Sequence, residues 1–293
     1  MAIVGQTDVN ATRQALVSQL IQEALQERAK MLPLVSRYDA PNGAQSVGIP
    51  RRDAASKASA LSEDAEVSAD AMTLSVDTIS LAQYPKRFDV SDLAKIQSSV
   101  DVNSLVVEDI ASSLARTLDE LILTELFTAG RYTSVDNDQN DGSEPDHVLA
   151  LSSGPADIKG DILNARKLLK NQGVQFDGRV HAVCTPATEE ALLSEGDFVR
   201  ADAYGAREHI LNGEIGMLYG IRFHTHSEIT DVSSTAQMAI FHENAVAVGI
   251  QKEFSLEYFR DVKYLNDVYT GSMFAGAKMM NGGKLSVVFD SGN

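Results

Sequence analysis

The chain of 293 residues has a single cysteine, Cys184. One thiol excludes an internal disulfide and any multi-cysteine metal site. No stretch approaches the ~18 consecutive apolar residues of a membrane helix, so no helix of this chain is expected to span a bilayer. The N-terminus, Met1-Ala2-Ile3-Val4-Gly5-Gln6, has neither the basic start nor the apolar core of a secretory signal. Positive charge is scarce: 25 Lys and Arg stand against 41 Asp and Glu, a net charge of −16. A surface this acidic repels phosphates and argues against wrapping or reading nucleic acid. It is compatible with enclosing nucleic acid, because like charge keeps the polymer off the walls, and solubility accounts for the same number equally well. The chain has no G-x-S-x-G elbow, no Walker A loop and no G-x-G-x-x-G. Neither an internal repeat nor a Pro- or Gly-rich linker divides it.

What is present is a globular composition, 44% hydrophobic and 23% charged, too apolar for a disordered chain. The length suits two domains, or one large domain with an excursion. Leu16, Leu20, Ile21, Ala24 and Leu25 recur at helical spacing and predict a helix over 8–32, capped by Asp8 or Asn10 and closed by Pro33. That helix can pack on its own domain or lie on a neighbour. After the Asn42-Gly43 turn, Gln45, Val47 and Ile49 alternate up to Pro50. A polar stretch rich in Ala, Ser, Asp and Glu then runs to Asp70, long enough to imply function or disorder. Alternation returns at Met72, Leu74 and Val76, then shifts phase to Ile79 and Leu81, which predicts a bulge or strong twist. Extended, residues 71–88 reach about 60 Å, against a radius of gyration near 19 Å for a globule of this length. An isolated ribbon is marginal in water, so it needs a surface to lie on, most simply another copy of the chain.

Ser104–Ala129 is the clearest helix, with Val106, Ile110, Leu114, Leu118, Leu121 and Leu126 in one stripe; Asp101 or Asn103 caps it and Gly130 stops it. Residues 131–156 read as a polar loop. Beyond them come helices over 157–171 and 187–194, strands over 178–184, 217–226 and 236–241, a helix near 242–249, and strands near 253–259 and 284–289. The pattern is α+β.

No constellation builds an active site. Asp136–Gly142 fails the EF-hand in both registers, because Gly and the twelfth-position Glu never fall together. His224 and His226 share one strand face and His242 offers a third imidazole, yet no carboxylate is tied to them by motif. On a strand Cys184 and His181 point to opposite faces, so no Cys–His nucleophile pair forms and Cys184 reads as a small core residue. Accordingly no catalytic, cofactor-binding or metal residue is assigned. Arg51, Arg52 and Lys57 are the only cations of the excursion tip, a candidate hook for an acidic patch on a neighbouring subunit; the alternative is an ordinary solvated loop.

In order along the chain, several segments resemble the major capsid proteins of tailed bacteriophages, the Hong Kong 97 fold. They are the N-terminal arm, the ribbon Ala44–Arg87, Leu74-Ser75-Val76-Asp77-Thr78-Ile79-Ser80-Leu81, Val90-Ser91-Asp92-Leu93-Ala94-Lys95-Ile96 before the long helix, and Asn212-Gly213-Glu214-Ile215-Gly216-Met217-Leu218-Tyr219-Gly220. His242-Glu243-Asn244-Ala245-Val246-Ala247-Val248 and the closing Leu265-Asn266-Asp267 and Gly271-Ser272-Met273-Phe274-Ala275-Gly276-Ala277 complete the series. The resemblance implies an N-terminal arm (1–35), an extended β-ribbon loop (36–90), a peripheral domain (91–155 and 251–293) with a spine helix (102–128), and an axial domain (156–250).

It further implies a non-enzymatic shell subunit of the virion, assembled in the bacterial host cytoplasm. Copies would form hexamers and pentamers of an icosahedral head that encloses double-stranded DNA without reading its sequence. The implied partners are a portal, a cement protein and a separate scaffolding protein; since the arm begins at once, either that protein acts or a scaffolding segment was cleaved or never existed, and Met1 argues against cleavage. Some relatives cross-link a loop Lys to an Asn of a neighbour, but Lys57 reads more simply as a surface charge. The alternatives are an encapsulin-like nanocompartment shell and a metalloenzyme built on His224, His226 and His242.

Overall fold

The computed structural model describes residues 3–4, 29–52, 74–98, 102–129, 147–151, 155–193 and 217–291. Of the helix expected over 8–32, residues 8–28 lie outside these residues and 29–31 are not helical, the chain entering a 3-10 turn at Leu32. The excursion tip with Lys57, the polar loop up to 146, and Asn212–Gly216 also lie outside them. Strand β1 is Ile3–Val4, and a 3-10 turn spans Leu32–Leu34 with Pro33 inside it. Strands β2 (Ser36–Asp39), β3 (Ser46–Arg52), β4 (Leu74–Ser80) and β5 (Ala82–Ser91) precede the short helix α1 (Asp92–Gln97). The long helix α2 (Val102–Thr124) ends in a π turn, Glu125–Ala129. Then come β6 (Val148–Leu151), α3 (Pro155–Asn171), β7 (Val180–Cys184) and α4 (Pro186–Leu193). The chain closes with β8 (Met217–Leu218), β9 (Ile221–Thr225), α5 (Ile229–Val232), β10 (Ala236–His242), β11 (Val246–Asp261), β12 (Asn266–Met279) and β13 (Ser286–Ser291).

These strands form a five-stranded sheet in the order β1-β5-β12-β11-β2, a six-stranded sheet in the order β6-β13-β10-β7-β9-β8, and the ribbon β3-β4. Helix α2 is the element between the two large sheets. Its stripe at four-residue spacing, Val106, Ile110, Leu114, Leu118, Ile122 and Leu126, is buried. It shares one core with Val90, Val248 and Met273 of the first sheet and Val183, Phe241 and Val288 of the second. At 1.5 Å per residue α2 is about 35 Å long, so it runs the depth of the molecule. Alternate residues of the same strands, Ala182, Cys184, Ile240 and Phe289, face away from α2 and pack with Ile162 and Leu169 of α3. The six-stranded sheet is therefore covered on both faces, which is why β7 is buried at every position.

The ribbon is fixed to the first sheet at its base. Gly249 and Gly276 face each other in the β11–β12 register, and Ile79 and Ser80 lie over them. A Cβ on Gly276 would sit 2.0 Å from the Ser80 carbonyl oxygen, so only glycine admits this approach. Ile79 is sealed here with Ala247 and Met280. Asp77 Oδ2 accepts the Asn281 amide at 3.2 Å on the same side.

Four expectations change. Residues 246–249 are strand, not helix: Val246, Ala247 and Val248 are all fully buried, and a strand covered on both faces carries a continuous apolar run that mimics a short helix. The 131–156 loop contains β6, which adds in parallel to β13. The phase shift between Val76 and Ile79 is no bulge, since β3 and β4 pair without interruption from Ser46–Ser80 to Arg52–Leu74. Instead the apolar face switches: Val47, Ile49 and Ile79 look toward the sheet near the base, while Val76 and Leu74 look away near the tip. Finally, β2 and β5 are hydrogen bonded into the five-stranded sheet, so among the described residues the part of the ribbon outside that sheet is seven residues per strand, about 23 Å.

Candidate assembly surfaces

The histidines of the sequence do not converge. His226 is buried, with Nε2 3.3 Å from Asp119 Oδ2 on α2. His224 instead meets His181, across the parallel β7–β9 pair, at 3.3 Å between Nε2 and Nδ1. His242 turns to its own loop, where Nδ1 accepts the Asn244 amide at 3.2 Å. Among the described residues no group of three His, Cys, Asp or Glu side chains is placed to hold a metal ion. Burial lowers the His181 pKa to about 4, with the neighbouring His224 and Arg222 acting in the same direction; burial and Arg222 lower that of His224. Cys184 is fully buried among the α3-facing residues, and burial pushes its thiol up to about 12. A nucleophile needs the opposite environment.

A cleft of about 420 Å³ lies between α2, β5 and α5, lined by Phe88, Ser113, Thr117 and the charged Lys86, Asp109 and Glu228 among others. The Glu228 carboxylate receives the Arg116 guanidinium, closing one wall. No lining residue is a His or Cys.

Among the described residues, exposed large apolar side chains include Met217 and Leu163 on the six-stranded-sheet side, but they gather at two places, the ribbon and one end of the five-stranded sheet. On the ribbon, Leu74 and Val76 are 61% and 60% exposed. Of the three cations marked at its tip, Arg51 is held within the subunit: Nε donates to Ser75 Oγ at 3.0 Å and Nη1 to Asn281 Oδ1 at 3.4 Å. Arg52 is the last residue of β3, and Lys57 lies beyond the described residues.

The second projection carried no mark in the sequence. Beyond Ser255, β11 pairs only with β12, so the outer part of this hairpin has an open edge among the described residues. Tyr258 and Phe259 are successive residues on opposite faces, and both are exposed, as are Val262, Tyr264 and Leu265 at the turn. Helix α1 is clamped beside this turn. The Asp92 amide donates to the Leu265 carbonyl oxygen at 3.1 Å, Arg260 reaches both Asp92 and Asp267, and Lys95 pairs with Asp267. Hydrogen bonding to Arg260 lowers the Asp92 pKa. On α1 the exposed Leu93 and Ile96, the latter 82% exposed, add to the same end of the molecule. The strand expected near 253–259 was the available signal, but a strand pattern does not say whether either face finds a cover.

The profile of the phage capsid protein family matches residues 21–289. No curated protein matches the sequence significantly. By structure, the capsid of cyanophage P-SCSP1u is similar at 15% identity and a TM-score of 0.70, with 89% of this chain and 87% of that one covered. The mature capsid of bacteriophage PhiM1 is 12% identical at a TM-score of 0.70, with 91% and 88% covered. A chain of Mycobacterium phage Bobi is 12% identical at a TM-score of 0.69, with 100% of both covered. At such identities what is shared is the fold.

Proposed function

The chain belongs to the phage capsid protein family and is a structural major capsid protein, and from that premise we propose how it builds the head. Copies assemble into hexamers and pentamers of an icosahedral shell around double-stranded DNA, in the cytoplasm of the bacterial host. The observation that carries this reading is where the uncovered apolar surface lies. The body is sealed around α2, while Leu74 and Val76 on the ribbon and Phe259, Tyr264 and Ile96 at the opposite sheet end are left to solvent. Apolar projections on a closed body need partners, and aromatic side chains are the usual anchors of protein interfaces.

The five-stranded sheet with α2 serves as the peripheral part and the six-stranded sheet with α3 as the axial part, a division that differs from the expected spans in assigning β6 and β13, of 91–155 and 251–293, to the axial part. The ribbon lies over an adjacent subunit, where Arg52 and Lys57, rather than the internally held Arg51, meet acidic groups. The net charge of −16 keeps packaged DNA off the inner wall without reading its sequence. A separate scaffolding protein directs closure, and a portal occupies one vertex; a cement protein is a further partner of the finished shell.

Negative-stain electron microscopy of the purified chain, beside sizing chromatography, tests the proposal. Closed shells or capsomer-sized rings are expected. A monodisperse monomer at high concentration, with and without scaffold, would overturn it.

A further inference from the structure

One buried carboxylate joins three parts of the chain. Asp119, on α2, is 2% exposed, and so is His226, which follows β9. Asp119 Oδ2 accepts the Lys30 amide at 2.8 Å and Oδ1 accepts the Met31 amide at 3.1 Å. The third donor is His226. Its Nδ1 accepts the Glu228 amide at 3.2 Å, so the neutral ring carries its proton on Nε2 and donates it to Asp119 Oδ2 at 3.3 Å. One residue later the chain is sealed in: Met31 is 1% exposed and Leu34 and Val35 are buried with α2. One turn before Asp119, Arg116 of the same helix holds Glu228, so helix and loop are tied twice.

We propose that Asp119 is the anchor of the N-terminal arm where it joins the body: its carboxylate holds the Lys30 and Met31 amides and thereby fixes the position and direction of the chain at residue 29. Asp119 is a positioning residue, acting through the backbone it holds. It suits the task because a carboxylate can accept two consecutive amides at once. In an assembling subunit, the position of the chain at residue 29 decides which surfaces, its own or a neighbour's, the residues before it can reach. That consequence rests on the shell-subunit reading; the anchor itself does not.

Asp119→Asn is the discriminating variant. The amide keeps the shape but replaces one acceptor by a donor, and all three partners are donors, so at least one contact is lost. The experiment is limited trypsin digestion of the full chain well below its melting temperature, with cleavage after Lys30 read by intact mass. Wild-type protein should resist at this bond, and D119N should be cut about tenfold faster, the change in local opening that one lost charge-assisted hydrogen bond brings. His226→Gln, which leaves both arm contacts in place, should keep the bond protected. Equal cleavage of wild type and D119N would overturn the anchor, as would a lower melting temperature without faster cleavage. Hydrogen exchange on the wild type decides the matter if D119N does not fold: the Lys30 and Met31 amides should be protected as the middle of α2 is, and exchange at loop rates would overturn the proposal. Normal shells from D119N with a loosened arm would overturn the role in arm direction. Failure of the wild type to form shells would instead count against the shell-subunit reading and leave the anchor standing.

Discussion

His181 and His224 face each other across β7 and β9 as a neutral pair, and the direction of their pKa shifts fixes how acid acts on the subunit. In the unfolded chain a histidine titrates near 6.5, whereas folded His181 waits until about 4. Between those values the unfolded chain holds the extra proton. The stability this pair contributes is thus complete above about pH 6.5 and is lost as pH falls toward 4, at up to about 1.4 kcal/mol per pH unit for His181. Thermal unfolding from pH 7 to 4 should show His181→Asn losing stability less steeply than wild type; equal slopes would contradict it. The sequence places His224 and His226 on one strand face, but it cannot place His181, because strand order brings in a partner 43 residues away. Cys184 was legible, since three residues from His181 means opposite faces. With its thiol buried and pushed up to about 12, it should resist a thiol reagent at pH 8 in the native protein and react fully in denaturant.

At the scale of elements, the contact between ribbon and sheet rests on a glycine pair. Gly276→Ala would bring a methyl into the Ser80 carbonyl, and backbone cannot step aside as a side chain can. About 1–3 kcal/mol of destabilisation is expected in urea unfolding, with the ribbon displaced at its base. Gly249→Ala meets only the flexible end of Leu81 and the side chain of Ile79, at 3.1 and 3.3 Å, and should cost less. Equal effects would mean that Gly276 is not the seat. Toward the tip, deleting residues 53–68 should leave the subunit folded and impair shell assembly; normal shells from the deletion would remove the tip from the interface. Elements whose hydrophobic period is unambiguous were legible, α2 above all. Those that failed, β6 and the start of β11, are short apolar runs whose neighbours on both faces come from distant sequence. The ribbon was legible as an extension, but the switch of its apolar face is set by where the sheet ends beneath it.

Over the whole molecule, surface that folding does not cover can be separated from surface that folding needs, and the outer β11–β12 hairpin is where the two come apart most cleanly. Phe259 is 65% exposed and Val262 73% exposed, so neither holds the subunit together. Among the described residues the strand beneath them is an open edge, which in a lone subunit invites pairing and in an assembly must be paired or covered. The ion pairs of Arg260 with Asp92 and Asp267 keep α1 against this turn, so Leu93 and Ile96 stay beside the aromatic residues even before a neighbour arrives. A surface held ready in this way loses little entropy on association. Phe259→Asp combined with Tyr264→Asp should therefore leave the melting temperature of the isolated subunit nearly unchanged, as exposed substitutions do. It should also raise the concentration needed for assembly about thirtyfold or more, the effect of losing roughly 2 kcal/mol at one anchored contact. Light scattering against concentration measures the second quantity and calorimetry of the subunit the first. Arg260→Ala should act in the same direction but more weakly, since it frees α1 without removing an aromatic anchor. If the double variant assembles at the wild-type concentration, the hairpin faces solvent in the shell and the ribbon alone carries the contacts between subunits; if the melting temperature falls with assembly, the aromatic residues serve the subunit's own fold.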